Sequence, residues 1–525
     1  MQPGDLIGVL IAGGFFAFWD AFGIGANDVA NSFANSVAAR TITLKQACAI
    51  AVFTELGGAV LMGAETTAAI KNSIIDVKLW KAVPEQLMFG FMCALAASSF
   101  WVILAARLGF PVSTTHSIVG AIAGVGIAKF GFSAINAAEF WKIVLSWVVS
   151  PGVAGVLATV FYLITKYTVL NAKNSLQRGL NFIPVFFMFT ISLCMFFVIN
   201  KAPKGIDLSK AANQTPENWT KVLLISLLGG GVAVGLYVWL FIVPYFRRLL
   251  IDEETLSWYH MFYIRCVPTQ PKNEDMEAWL EGRADKVKKA DDQYAEIESP
   301  AAENSETALD EDKQIVAEKK KKKSWLSVLT HGMNQDVVTV EGEYLENMHS
   351  KAVKHDSRTE YLFSYLQVAT AAFASFAHGS NDVANAAGPF SAMLTIYDTA
   401  AIPGKNVPVP FGLLAGMGIA IDLGLVLYGY NIMRVLGNHI TYQSPSRGFN
   451  MELGASFTVI VASFLGLPVS TTHCITGATV AVGLCNGEFA SINWRMVVWI
   501  IFSWVITLPI TASIAGLLFA FKYGW

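Results

Sequence analysis

Twelve stretches of this chain are apolar over a length that can cross a bilayer, and no other feature limits its fold as strongly. A membrane helix takes about 20 apolar residues, and lipid leaves no partner for an unpaired backbone group, so each stretch reads as a helix. Seven come early: Leu6–Ile24, Leu44–Ala64, Gln86–Leu108, Ser113–Lys129, Phe140–Lys166, Phe182–Asn200 and Lys221–Phe246. Five follow a long gap: Tyr361–Ala377, Val409–Tyr430, Met451–Leu467, Ser470–Cys485 and Trp494–Lys522. The stretches at Ser113 and Ser470 are short, and either cross the bilayer or re-enter from one side. Only 14% of the residues are charged, against about 25% in soluble domains. The fold class is therefore an all-α polytopic membrane protein with about 12 spans. A net charge of −2 gives no basic excess suited to nucleic acid. Met1–Asp5 lacks a basic leader, so the first stretch is expected to stay as a span. The six cysteines show no paired metal or redox spacing and read as buried, reduced packing residues.

The gap at 247–358 differs in kind. It is rich in Glu, Asp, Lys and Ser and holds the run Lys319–Lys323. Such a composition offers too little apolar area to offset ordering, so a largely disordered loop is expected. Basic loops favour the cytoplasmic side. Alternation then places 201–220, with its sequons at Asn213 and Asn218, outside. Arg40, Lys45, Lys166, Lys173, Arg178, Arg434 and Arg447 fall inside, and both termini fall outside provided that the stretches at Ser113 and Ser470 cross.

Within this frame the chain repeats itself. Gly25-Ala26-Asn27-Asp28-Val29-Ala30-Asn31 returns as Gly379-Ser380-Asn381-Asp382-Val383-Ala384-Asn385. Pro111-Val112-Ser113-Thr114-Thr115-His116 returns unchanged as Pro468-Val469-Ser470-Thr471-Thr472-His473. Seven stretches separate the starts of the two copies, and an odd number of crossings turns the second copy over in the membrane. The expected organisation is a first repeat at 1–170, connecting helices at 171–246, the loop at 247–358 and a second, inverted repeat at 359–525. Inverted repeats place a shared site near the midplane, on broken or re-entrant helices.

A carboxylate at membrane depth costs roughly 2.5–3.5 kcal/mol on insertion scales and calls for a partner or a function. Asp28 and Asp382 are such carboxylates. Asn27, Asn31, Asn381 and Asn385 add neutral oxygens, and a hard cation prefers oxygen ligands. Gly25 and Gly379 are expected to let the backbone unwind there. A plain helix cap is the alternative for each Asp. Ser113, Thr114 and Thr115, like Ser470, Thr471 and Thr472, follow a Pro and open an apolar helical run. Helix N-termini carry free N–H groups and favour anions, so two of them can clamp a tetrahedral oxyanion. Two aspartates beside an anion repel it until cations neutralise them, which couples the two ligands. A carboxylate also accepts a proton-bearing phosphate oxygen, which sulfate lacks. Glu55 stands inside an apolar span, with Asp422 as its weaker counterpart, and Glu452 opens another. His116 and His473 read as structural, bonded to backbone.

These motifs resemble those of the PiT family of inorganic phosphate transporters, particularly its sodium-dependent branch in fungi and animals. The likeness spans nearly all of the chain outside 247–358. It implies phosphate–sodium symport by alternating access in the plasma membrane, external termini and a homodimer, with no cofactor beyond sodium as coupling ion and no enzymatic activity. It also implies phosphate contacts from Asp28, Asp382 and the six Ser and Thr residues, sodium contacts from the N-D motifs, and a transport requirement for Glu55 and Glu452. Proton-coupled members make proton coupling the alternative. An intramembrane aspartyl protease would leave the duplicated S-T-T-H runs unused.

Overall fold

The computed structural model describes residues 3–201, 216–282, 333, 335, 337, 343–404 and 409–524. Its helices are α1 (Pro3–Asn27), α2 (Ala30–Ala38), α3 (Leu44–Ser73), α4 (Pro84–Arg107), α5 (Thr114–Phe130), α6 (Ala137–Thr165) and α7 (Ser175–Lys201). There follow α8 (Pro216–Leu224), α9 (Ala233–Tyr237) and α10 (Val243–Leu250), joined by π-helical turns into one rod. The remainder are α11 (Glu343–Ser350), α12 (Ser357–Thr399), α13 (Phe411–Tyr428), α14 (Tyr430–Asn438), α15 (Pro445–Phe464), α16 (Thr471–Leu484) and α17 (Trp494–Tyr523).

Local chemistry sets many of these boundaries. Thr43 opens α3 with a capping box shared with Gln46. Pro84 and Pro445 begin α4 and α15, where a missing N–H breaks no helical bond. Ser113 and Ser470 cap α5 and α16 by accepting the N–H of His116 and His473. Nine spans among the described residues are long and apolar enough to cross a membrane. Large apolar side chains point outward without protein cover, Phe53 and Phe521 at 80% and 95% exposure. This is the all-helical multi-pass membrane fold, with no strand among the described residues. The three further stretches of the sequence reading lie on α12, α15 and α16, the helices that carry much of the site's polar chemistry.

Helix contacts come in matched pairs. α1 packs on α4 as α12 packs on α15, and α1 on α13 as α12 on α3. α5 packs on α17, and α16 on α6. The last two pairs join helices from opposite ends of the sequence. Two matched crossings are close enough to demand glycine. A Cβ on Gly25 would stand 1.7 Å from the Ile421 carbonyl oxygen, and one on Gly379 would stand 2.2 Å from that of Glu55. Gly424 and Gly58 face them from the other side of each crossing, against the carbonyls of Phe22 and Phe376.

That corrects two expectations. Gly25 and Gly379 sit inside helices and serve close packing, not unwinding. Of the two N-D motifs the first is broken at Asp28–Val29, between α1 and α2, whereas the second runs unbroken through α12. In the first copy the Asn31 and Ser32 N–H groups reach back three residues, to the Asp28 and Val29 carbonyls, which tightens the turn. The crossings also show Ile421 where Glu55 stands, so Asp422 is not its positional counterpart.

Residues 251–282, assigned by composition to the hydrophilic loop, pack on the bundle: Met261, Ile264, Met276 and Leu280 are buried. Arg248 ties this segment down through Glu254 and the carbonyls of Val267 and Pro268. Arg358 does the same through Glu253 and Glu277. Scattered apolar residues, too few to change the local composition, do this work. Cys266 is exposed on the segment, contrary to the packing role expected of all six cysteines. Lys319–Lys323 and Asn213 lie outside the described residues, and Asn218 falls in the first turn of α8.

Candidate transport site

Each Pro-Val-Ser segment is extended and is held by the first Asn of an N-D motif. Asn27 donates to the Phe110 carbonyl at 3.0 Å and accepts the Val112 N–H at 3.2 Å. Asn381 donates to the Val469 carbonyl at 2.7 Å. Both Asn residues thus position the Pro turns, and Asn381 also donates to the Asp382 carboxylate. Ser113 and Ser470 spend their hydroxyls on capping.

The threonines meet the aspartates. Thr114 donates to Asp28 at 2.5 Å, and Thr471 donates to Asp382 at 3.1 Å. Thr472 crosses to the other copy and donates to Asp28 at 2.9 Å. The second Asn of each motif also crosses. Asn31 donates to Thr472 at 2.9 Å, and Asn385 donates to Thr114 at 3.1 Å, with Thr115 at 3.4 Å. All of these side chains are buried. Asn31 Oδ1 faces the interior without a hydrogen bond, an available hard donor for a cation.

One residue the motif reading missed joins the two acidic sites. His378 sits one turn before Asp382 and lies 3.0 Å from its carboxylate through Nε2. Its Nδ1 lies 2.7 Å from Glu55, which also accepts from Ser375 at 2.7 Å. Asp28, His378 and Asp382 each place a ligand atom within 4.8 Å of the others. The signal was present in the repeat: the first copy has Ile24 where the second has His378. Glu452 stands in a separate cluster, accepting from Ser36 at 2.6 Å, Thr370 at 2.8 Å and Gln367 at 3.2 Å. His116 and His473 turn Nδ1 toward the carbonyls of Trp504 and Trp147, at 3.2 and 2.9 Å.

The structure thus gathers Asp28, Asp382, Asn31, Asn385 and the four threonines in one place, with Glu55 attached through His378. It leaves Glu452 outside. Hydroxyls that now serve carboxylates can serve an oxyanion once cations hold those carboxylates.

The sequence profile of the phosphate transporter family matches residues 24–515. The chain belongs to this family. It is a membrane transporter and not an enzyme. Among its relatives, the phosphate-repressible phosphate permease pho-4 of Neurospora crassa is 37% identical, with 97% of this chain and 96% of that one covered. The sodium-dependent phosphate transporter 1-A of Danio rerio is 28% identical over 99% and 95%. A solved structure described as the sodium-dependent phosphate transporter superposes with a TM-score of 0.66 at 31% identity, over 98% of this chain and 99% of that one. Phosphate transporter membership accounts for a site rich in both carboxylates and hydroxyl donors.

Proposed function

We propose that this protein carries inorganic phosphate inward with sodium, by alternating access of two inverted halves around the Asp28–Asp382 cluster. One observation carries the reading. Carboxylates from both N-D motifs and hydroxyls from both Pro turns converge in a single buried cluster. Two carboxylates so close repel each other and repel phosphate. Sodium held by Asp28, Asp382 and Asn31 Oδ1 removes that repulsion and frees Thr114, Thr471 and Thr472 to donate to the oxyanion. Phosphate affinity then depends on sodium, which is the coupling. The matched helix contacts support two related halves, and the named activities of the animal relatives support sodium. Residence as a homodimer in the plasma membrane belongs to the same proposal and rests on the family resemblance, while termini outside and 247–358 inside rest on the basic loops.

Proteoliposomes under an imposed gradient test it. An inward sodium gradient should drive accumulation of radiolabelled phosphate, and potassium in its place should not. Equal uptake in potassium at fixed pH would remove sodium from the mechanism, and sodium-free uptake driven by an imposed proton gradient would assign coupling to protons instead.

A further inference from the structure

The Asp28–Asp382 cluster is buried, so a solute held there needs a way out on each side of the membrane. Toward the end of the bundle where the central stretch returns, two cavities follow the cluster. The larger, of about 560 Å3, is lined by Ala38 and Ala39, by Asn438 and Tyr442, and by residues from both ends of the central stretch. Glu277, Glu281 and Glu360 share its walls with Arg40 and Lys354, so it favours neither sign of ion and suits water. The smaller, of about 10 Å3, has room for one water.

Helix α2 leads from one to the other. Asn31 belongs to the cluster, and Asn31 and Asn35 line the small void. Ala38 and Ala39 open on the large cavity, roughly 10 Å further along the helix. The facing segment does the same, with Leu436 and Ile440 on the void and Asn438 and Tyr442 on the cavity. Ile475, Thr476 and Thr479 of α16 complete the wall of the void.

This lining is more polar than packing requires. Thr476 Oγ1 is buried without a hydrogen-bond partner, and Asn35 donates to the Met451 sulfur at 3.7 Å, a weak acceptor. Buried polar groups ordinarily find good partners. The repeat shows that the fold does not need these groups. Val119 and Ile122 stand in the first copy where the second has Thr476 and Thr479, and Pro389 stands in the second where the first has Asn35. The polar face therefore lies on one side of the cluster only.

Between void and cavity the seam is shut. A Cβ on Gly437 of α14 would stand 2.9 Å from the Ala38 Cβ and 3.1 Å from the Ala34 carbonyl oxygen, so α14 lies directly on α2. Leu436 and Ile440 are buried beside that contact. Both walls are short helices with a break at one end: α14 is set off from α13 at Gly429, as α2 is from α1 at Asp28–Val29. Each can tilt on its break.

We propose that phosphate and sodium leave the cluster along the seam between α2, α14 and α16, with Asn35, Thr476 and Thr479 as its polar lining and Leu436, Gly437 and Ile440 as its gate. The route rests on the cluster being the transport site. Phosphate is far larger than the small void, so release requires α14 to part from α2.

Two measurements on the full-length protein test this. Asn35→Leu and Thr476→Val should keep sodium-dependent phosphate binding in detergent. Both should slow phosphate uptake into proteoliposomes about tenfold, the size expected when a desolvated solute loses one hydrogen bond. Uptake at the wild-type rate in both variants would overturn the route, and so would binding that falls in step with uptake. If wild-type phosphate binding ignores sodium, the coupling reading fails, and the same comparison of binding with uptake still decides the route. The gate is read by a hydrophilic thiol reagent, with modification located by peptide mass spectrometry. Gly437→Leu should speed modification of Thr479→Cys and leave Ile122→Cys, at the matching position on the other side, protected. No acceleration at Thr479→Cys, or equal acceleration at both positions, would overturn the gate.

Discussion

Thr472 ties the two copies together, because its hydroxyl donates to Asp28 and accepts from Asn31, both in the other half. Thr115, at the matching position, meets Asn385 and the Val469 carbonyl only at 3.4 Å. A hydrogen bond to a charged group contributes roughly 1.5–3 kcal/mol. Thr472→Val should therefore weaken phosphate binding about ten- to a hundredfold, and Thr115→Val less. Binding titrations at several sodium concentrations measure this, and wild-type affinity in both variants would refute a clamp made from the two helix ends. Asp28→Asn and Asp382→Asn should differ in kind. They should flatten the sodium dependence of phosphate binding more than they reduce it at saturating sodium. The capping Ser and donor Thr residues were legible in the sequence because a Pro-Ser-Thr-Thr run is a local signal. His378 was not, because its meaning depends on Glu55, more than 300 positions away. The separation of Glu452 from the main site was also beyond reach, since Ser36, Gln367 and Thr370 come from two distant helices.

Among the elements, the α1–α13 and α12–α3 crossings leave no room for a methyl group at their centres. Overpacking a close contact costs about 1–3 kcal/mol. Gly25→Ala and Gly379→Ala should each lower the melting temperature in detergent, followed by tryptophan fluorescence. Gly416→Ala, on the open side of α13 with nothing within 4 Å of the added carbon, should leave it unchanged or raise it slightly. A neutral outcome for both buried substitutions would mean that the helices slide apart freely. The apolar stretches announced most of these helices, because length and hydropathy are local properties. Glycine next to a buried Asp fitted two readings, a turn or a crossing. Only the partner helix decides between them, and that helix is distant in sequence.

For the molecule as a whole, the central stretch divides into parts with different duties. Met276 and Leu280 are buried on the bundle, and Glu277 holds Arg358 and Ser357. Removing 274–313 should therefore destabilise the protein, whereas removing 286–330 spares each of these contacts and should preserve melting temperature and reconstituted uptake. Equal stability of the two deletions would show that the docked segment carries no load. The packing of α5 on α17 and of α16 on α6 reaches further, into the time during which the chain is made. Synthesis runs at about 5–20 residues per second, and α5 ends at Phe130 while its partner begins at Trp494. On the order of half a minute therefore passes in which the small-residue face of α5 has no mate. Lipid or an insertion factor must occupy that groove, and then yield it. A chain cut short before α17 would have crossed the membrane nearly to its end and still hold an open seam, a mark by which quality control can know it.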